Sequence, residues 1–392
     1  MAGVPTRSGT DSPTPVPPQG SRGGAGTICI EDPLSVADWD DRLARIPEAT
    51  IFHTAAWARV LIDTYGFPPL YLTQRHEGRL LGLLPMMRTG SRWLGYRHVS
   101  LPFTDGCPPL LPPKDEHSCP SPAKQPAAEA SITLDTMADR HPLLAAALSD
   151  ARTRRSRFLE LRDCEPWTCG VAPSVVFHGH AVPLLDSAES QLQQCSPAMR
   201  RALRKGDRSP LRLKESRELA DVEAYFELHC QTRQRHGLPP QPFAFFRNLQ
   251  RHLLHPGLGF VILALLESRP VAGAIFLGFG RTALYKFGAS SESHLDLRPN
   301  NLVLWHGIRR CAELGFATLD LGRTSLDNSG LRRFKLGLGG EERLIHYVRQ
   351  DVRAGRVIAT PDRAHGWHNR VFRCLPRPLA RTLGVVLYRF VA

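Results

Sequence analysis

The sequence predicts an α/β (α+β) chain in which one fold occurs twice, as two tandem domains with mixed sheets flanked by helices. Three observations predict it. Apolar runs of strand length come in pairs around a polar turn, once in each half. The same succession of strand, loop, helix and strand follows each pair. The chain has 392 residues and 42% hydrophobic content, which fits two or three domains and excludes wholesale disorder.

Residues 1–26 are rich in Pro, Gly, Ser and Thr and hold no apolar stretch, so they are read as a disordered tail and not as a signal peptide. The first domain is expected over 27–180 and the second over 181–355, with a basic amphipathic segment over 356–392. In the first half, residues 70–72 and 80–87 are apolar runs around the turn 77–79; in the second, 260–266 and 271–277 flank the turn 268–270. Both read as antiparallel hairpins. Each second strand contains a glycine, Gly82 or Gly273, shortly after the turn arginine. A strand and a polar loop come next, 94–107 against 283–301, with a Pro-rich surface loop over 108–128. Helical stretches follow at 127–151 and 302–314. Each unit closes on an alternating strand, Phe-Leu-Glu-Leu-Arg at 158–162 against Thr-Leu-Asp-Leu-Gly-Arg at 318–323. Between the units, Ser196 and Pro197 open a basic helix with Arg200, Arg201, Arg204 and Lys205 on its solvent side, and 219–231 reads as a second helix.

The formal charge is +13, and of 50 basic residues 44 are Arg and six are Lys. Two readings stand: anionic partners held by guanidinium groups, or the codon bias of a GC-rich genome. No run approaches the roughly 18 apolar residues of a membrane span, since 260–279 is broken by Glu267, Ser268, Arg269 and Pro270. A cytoplasmic protein is expected. The nine cysteines show no C-x-x-C pair and are read as buried, reduced thiols. His252 with His255, and His365 with His368, have helical spacing but no third ligand, so no metal site is expected. At the C-terminus, Leu379, Leu383, Val386, Leu387 and Phe390 fall on one side of a helix. They fit either an anionic membrane surface or docking on the second domain.

Six separated blocks carry a family resemblance. They are Phe-His-Thr-Ala-Ala-Trp at 52–57 with Gly-Leu-Leu-Pro at 82–85; Ser-Leu-Pro-Phe-Thr-Asp at 100–105; Met-Arg-Arg-Ala-Leu-Arg-Lys at 199–205; Thr-Arg-Gln-Arg-His-Gly-Leu-Pro at 232–239; Lys-Phe-Gly-Ala-Ser at 286–290 with Leu-Arg-Pro-Asn-Asn at 297–301; and Leu-Asp-Leu-Gly-Arg-Thr at 319–324 with Gly-Leu-Arg-Arg-Phe-Lys at 330–335. With these the chain resembles the FemAB-like acyltransferases, a branch of the GNAT superfamily built from two tandem GNAT-type domains, relatives of the peptidoglycan bridge-forming enzymes.

The resemblance implies transfer of an acyl or aminoacyl group from acyl-CoA or aminoacyl-tRNA to an amine, with no permanently bound cofactor. The acceptor would be an anionic, amine-bearing cell-envelope or exopolysaccharide-related precursor. It would sit on the first domain, with donor and chemistry on the second. Donor phosphates are expected at the helix that begins near 299–302, where amides and dipole favour anions. The Gly-rich pyrophosphate loop of ordinary GNAT enzymes is replaced by Arg298-Pro299-Asn300-Asn301, with Asn300 as a helix cap. Arg298, Asn300 and Arg323 are the expected donor contacts. Asp105, Arg200 and Arg204 are the expected acceptor contacts. Strand alternation puts Asp320, Gly322 and Thr324 on one face and Leu319, Leu321 and Arg323 on the other. Asp320 is expected to orient the amine or accept its proton. Lys335, a rare lysine in an Arg-rich chain, is expected to stabilise an oxyanion or hold a phosphate. The alternative is a basic RNA-binding protein with a vestigial acyl-transfer site, in which Arg200, Arg201, Arg204 and Lys205 bind RNA backbone.

Overall fold

The computed structural model describes residues 26–111, 132–165, 167–360, 362 and 367–390. The expected tail, apart from Gly26, and the Pro-rich loop from residue 112 onward lie outside the described residues. Among the described residues there are thirteen strands: β1 (Thr27–Glu31), β2 (Tyr71–His76), β3 (Arg79–Leu84), β4 (Met87–Ser91), β5 (Gly95–Val99), β6 (Phe158–Arg162), β7 (Val175–Pro183), β8 (Arg212–Ser216), β9 (Gly259–Leu266), β10 (Arg269–Phe279), β11 (Thr282–Ser290), β12 (Thr318–Ser325) and β13 (Glu341–Asp351). β1, β2 and β3 form a small sheet. The other ten form one mixed sheet in the order β4-β5-β6-β13-β7-β12-β11-β10-β9-β8.

The internal repeat is real in detail. β2–β3 and β9–β10 are the two expected hairpins, each beside an antiparallel neighbour, β1 or β8. Their turns share one geometry. Glu77 and Gly78 have φ of 48° and 76°, and Glu267 and Ser268 have 48° and 77°. Positive φ at both central residues is the mark of the type I′ turn, whose twist matches that of the flanking strands. The second turn is therefore centred on Glu267 and Ser268, one residue before the expected 268–270. In both halves a parallel pair follows, and both pairs are short: Arg97, His98 and Val99 against Phe158, Leu159 and Glu160, then Thr282, Ala283 and Leu284 against Thr318, Leu319 and Asp320.

The last strand of each unit is exchanged. β7 leaves the first half to pair with β12 of the second, while β13 leaves the second half to pair with β6 of the first. β7 and β13 also pair with each other at the centre of the sheet. The expected boundary between residues 180 and 181 falls inside β7.

One hydrophobic core spans both halves. Trp57 from helix Ala55–Tyr65 is fully buried, and its ring lies 6.2 Å from that of Phe245 in helix Phe243–Leu249. Tyr225, Phe246 and Leu277 belong to the same cluster. The helix that starts at Ser196 forms as expected over Pro197–Asp207. Ser196 Oγ accepts from the Met199 amide at 3.2 Å, and Pro197 occupies the first turn, where its missing N–H costs nothing. Eight of the nine cysteines lie among the described residues. Cys107, Cys164, Cys195, Cys230 and Cys311 are buried, whereas Cys29, Cys169 and Cys374 are exposed, against the expectation for all nine.

With a shared core and exchanged strands, the two halves are expected to unfold together. Phe245→Ala should cost about 3–5 kcal/mol, the usual range for a buried ring. It should move one single transition followed by circular dichroism and by tryptophan fluorescence. Two separated transitions would contradict the shared core.

Candidate active site

Beyond Leu284 and Asp320, β11 and β12 part. In the first half, the equivalent gap after Val99 and Glu160 is filled. The Ser100 amide donates to Glu160 O at 2.9 Å, and the Arg162 amide donates to Ser100 Oγ at 2.8 Å. In the second half the gap stays open as a cavity of about 660 Å³. It is lined by residues of β11, β12, helix Pro299–Glu313 and helix Ser329–Leu336, with Asp105 from the first half.

The wall at β12 is shaped by a bulge. Asp320 pairs with Ala181 and Arg323 with Gly179, so Leu321 and Gly322 together face the single residue between them. Gly322 has φ of +70°, a left-handed conformation that side chains disfavour, and its amide donates to Asp320 Oδ1 at 2.7 Å. The bulge corrects the expected alternation. Ala181 and Gly179 share a face of β7, so Asp320 and Arg323 share a face of β12 rather than lying on opposite ones. A Cβ on Gly322 would sit 2.7 Å from Asp105 Oδ2, so only glycine lets the first-half carboxylate approach this closely.

Three cations surround Asp105. Lys286 Nζ is 3.9 Å from one carboxylate oxygen, and Arg323 Nε is 3.6 Å from the other. Lys335 acts on it from a greater distance. Burial raises the Asp105 pKa, but Lys286, Arg323, Lys335 and Arg162 together outweigh it, and the group stays below its ordinary value. Tyr347 donates its hydroxyl to the Asp105 carbonyl at 2.6 Å, which holds the loop in place. The Arg323 guanidinium stacks 4.3 Å from the Phe177 ring centre.

Lys335 is only 4% exposed. Its ammonium donates to Gly322 O at 2.8 Å and to Arg323 O at 3.1 Å, carbonyls that the bulge turns toward it. One of its three protons is left for the cavity. Burial lowers its pKa to about 8, and Asp105 and Asp320 only partly offset this. Lys286 has a 4% exposed side chain, donates to Phe103 O at 2.6 Å and lies 5.3 Å from the Phe52 ring centre. Burial lowers its pKa too, against the pull of Asp105.

At the far wall, the helix Pro299–Glu313 departs from the expected cap. Its N-cap is Arg298, with φ of 60°. Asn300 lies inside the helix and donates Nδ2 to Ser290 Oγ at 3.1 Å. The amides of this first turn are mostly spent: Pro299 has none, and those of Asn301 and Leu302 donate to Arg298 O at 3.1 and 3.3 Å. The polar residues lining the cavity here include Arg298, Asn300, Asn301, Ser290 and Arg235.

The structure therefore gathers Asp105, Arg298, Asn300, Arg323 and Lys335 around one cavity. Asp320 is not in the lining; it holds the bulge from within the strand. Burial raises its pKa despite the Gly322 amide. Arg200 is not in the lining either. Its guanidinium donates to Gln193 O at 3.0 Å and Cys195 O at 2.9 Å, closing the end of the preceding helix. Arg204 lies with Arg201, Lys205 and Arg208 in a separate surface groove. Lys286 and Arg235, two cations of the lining, received no role from the sequence. The rarity of lysine that singles out Lys335 applies equally to Lys286, set in an apolar strand. Among the described residues no group of His, Cys, Asp and Glu is placed to hold a metal ion. His252 Nε2 donates to Asp63 Oδ2 at 2.8 Å, and the side chains of His365 and His368 lie outside the described ones.

Residues 194–341 match the family model of the acetyltransferase (GNAT) domain, and the fold is similar to that of the crystal structure of FemX. The chain shares the fold of FemX and carries a GNAT domain. The FemX match has 14% identity and a TM-score of 0.58, covering 78% of this chain and 94% of that one. The chain is also similar to a tandem GNAT protein from the clavulanic acid biosynthesis pathway, with 12% identity, TM-score 0.47, and 83% and 98% of the two chains covered. L-PGS from Bacillus licheniformis matches at 11% identity and TM-score 0.46 over 84% and 90%. No curated protein matches the sequence. The GNAT region contains Lys286, Asp320, Arg323 and Lys335, while Asp105 comes from outside it.

Gly322→Ala tests the bulge. A side chain there meets Asp105 and is strained at positive φ, so stability should fall by about 1–3 kcal/mol. Urea denaturation would measure it. A neutral result would show that the close approach is not required.

Proposed function

We propose that the protein is an N-acyltransferase that moves an acyl or aminoacyl group from acyl-CoA or aminoacyl-tRNA to the amine of an anionic cell-envelope or exopolysaccharide-related precursor. The observation that carries this reading is the meeting of Asp105 from the first half with Lys286, Arg323 and Lys335 from the second, where two parallel strands part. A carboxylate kept ionised by buried cations is a weak base and a good anchor, so Asp105 orients the acceptor ammonium or amine. Arg298 and Arg235 supply positive charge for donor phosphates through side chains, in place of the backbone cradle of a Gly-rich loop.

In the reaction, the acceptor nitrogen attacks the donor carbonyl carbon and the new C–N bond forms. The thioester C–S or ester C–O bond then breaks. The proton lost from nitrogen ends on the departing thiolate or ribose oxygen. Most of the catalysis is positioning. Negative charge that collects on the carbonyl oxygen faces the free proton of Lys335, an electrostatic contribution of the oxyanion-hole kind. Asp320 acts as a positioning residue, through Gly322 and the two carbonyls that hold Lys335.

Turnover should be tested with purified protein, labelled acyl-CoA species or charged tRNA, and amine-bearing envelope precursors. Lys335→Met should lower turnover at least 100-fold with unchanged circular dichroism. Salt-sensitive RNA binding with no turnover on any donor would return the RNA-binding alternative. The pH profile has a defined sign. The Lys335 ammonium is complete well below pH 8 and is lost as pH rises through about 8, so turnover should fall on the basic side of that value. Asp320→Asn, which keeps an acceptor for the Gly322 amide, should retain most activity. A loss as deep as that of Lys335→Met would make Asp320 the base instead. Arg298→Ala should weaken donor binding about tenfold by calorimetry, the scale of one lost charge-assisted contact. An unchanged dissociation constant would remove Arg298 from the donor site.

A further inference from the structure

The C-terminal helix Arg377–Tyr388 has two non-polar faces, and only one of them is used. The docked face is small. Ala380 and Gly384 are buried, and a Cβ on Gly384 would come within 2.2 Å of the Pro240 carbonyl oxygen. Polar contacts fix it: Arg381 bonds both Glu227 oxygens at 2.6 and 2.7 Å, and the Tyr388 hydroxyl accepts from Arg233 at 2.7 Å. Three larger apolar residues point the other way. Leu379, Leu383 and Val386 are 55%, 39% and 51% exposed, at the i, i+4, i+7 spacing of a single stripe. Of the two readings of this helix, docking on the second half is realised, but by the face opposite to the leucines.

The stripe runs toward a second exposed apolar element. At the end of the helix the Phe390 carbonyl accepts from Arg97 Nη2 at 2.9 Å. Arg97 is on β5, and the β4–β5 hairpin tip carries Trp93, 93% exposed, and Leu94, 51% exposed. Arg92 beside the indole, and Arg373 and Arg389 flanking the helix, are exposed and have no acidic partner among the described residues. The region thus combines outward leucine and valine, an outward tryptophan and unpaired arginines, on elements from opposite ends of the sequence.

We propose that this stripe and the Trp93 tip form one docking surface for an anionic lipid membrane. The combination is what an interfacial helix needs: an apolar strip to enter the acyl boundary and cations to meet acidic headgroups. An indole is well suited to the headgroup level, since its ring is apolar and its N–H polar. Charge decides against a second copy of the chain as the occupant, because pairing through this face would bring like-charged arginines together. No helix among the described residues is long and apolar enough to cross a membrane, so the contact lies on the surface.

The test is co-sedimentation of the full chain with vesicles of phosphatidylglycerol and phosphatidylcholine, compared with phosphatidylcholine alone. Binding should require the anionic lipid and weaken as salt is raised. Leu383→Glu with Val386→Glu should lower the vesicle-bound fraction about tenfold, and Trp93→Ser several-fold. Melting temperatures should be unchanged, since all three side chains face outward. Absence of binding to anionic vesicles would overturn the proposal, as would binding that the variants leave intact. Dimers at micromolar concentration that the same variants dissolve, without vesicle binding, would overturn it in favour of self-association. The readout is independent of acyl transfer, so its failure leaves the catalytic reading untouched.

Discussion

The hydrogen bond from the Gly322 amide to the Asp320 carboxylate is the constraint on which the site depends. It closes a tight turn inside a strand and forces one extra residue into the ladder with β7. Everything nearby takes its position from that bulge. The Gly322 and Arg323 carbonyls turn toward Lys335, Arg323 swings to the face of Asp105, and the missing side chain at 322 leaves room for the carboxylate. A buried ammonium is expensive unless its donors are satisfied, and these two carbonyls meet most of the need.

The two halves show what the extra residue does. Phe-Leu-Glu-Leu-Arg in β6 and Thr-Leu-Asp-Leu-Gly-Arg in β12 align with one insertion, Gly322. Without it, the first half keeps a regular strand. Glu160 is buried there between Arg162 and Arg349, with oxygens 2.7 Å from each Nε, and Ser100 plugs the gap beside it. With it, the second half has an open cavity. The same framework thus serves as a filled support on one side and as a cleft on the other.

Much of this was legible in the sequence. Hairpins, parallel pairs and the basic helix follow from apolar periodicity and from Ser196 and Pro197. Lys335 was visible through the scarcity of lysine. What escaped is non-local. Strand exchange between β7 and β13 leaves no trace in periodicity, because an antiparallel strand reads the same whichever neighbour it takes. Gly322 was visible, but a simple two-residue alternation misplaces Arg323 because a bulge changes parity. Asn300 looks like a cap by residue type, yet the left-handed Arg298 takes that position two residues earlier. The outward leucines of the last helix misled in the opposite sense, since hydrophobicity alone does not say which face a glycine and an alanine will claim.

The exchanged strand also sets a timetable. β6 finishes at Arg162, but its partner β13 begins only at Glu341. At ribosomal speeds of about 5–20 residues per second, the edge of β6 waits on the order of ten to forty seconds for its neighbour. During that interval the nascent first half carries a leucine-rich strand with one open edge, the kind of edge that recruits foreign strands. Glu160 and Arg162 on that same strand put charge on the waiting edge. The groups that later form the buried ion pairs of the filled first half are therefore also placed to guard the chain while it is still being made.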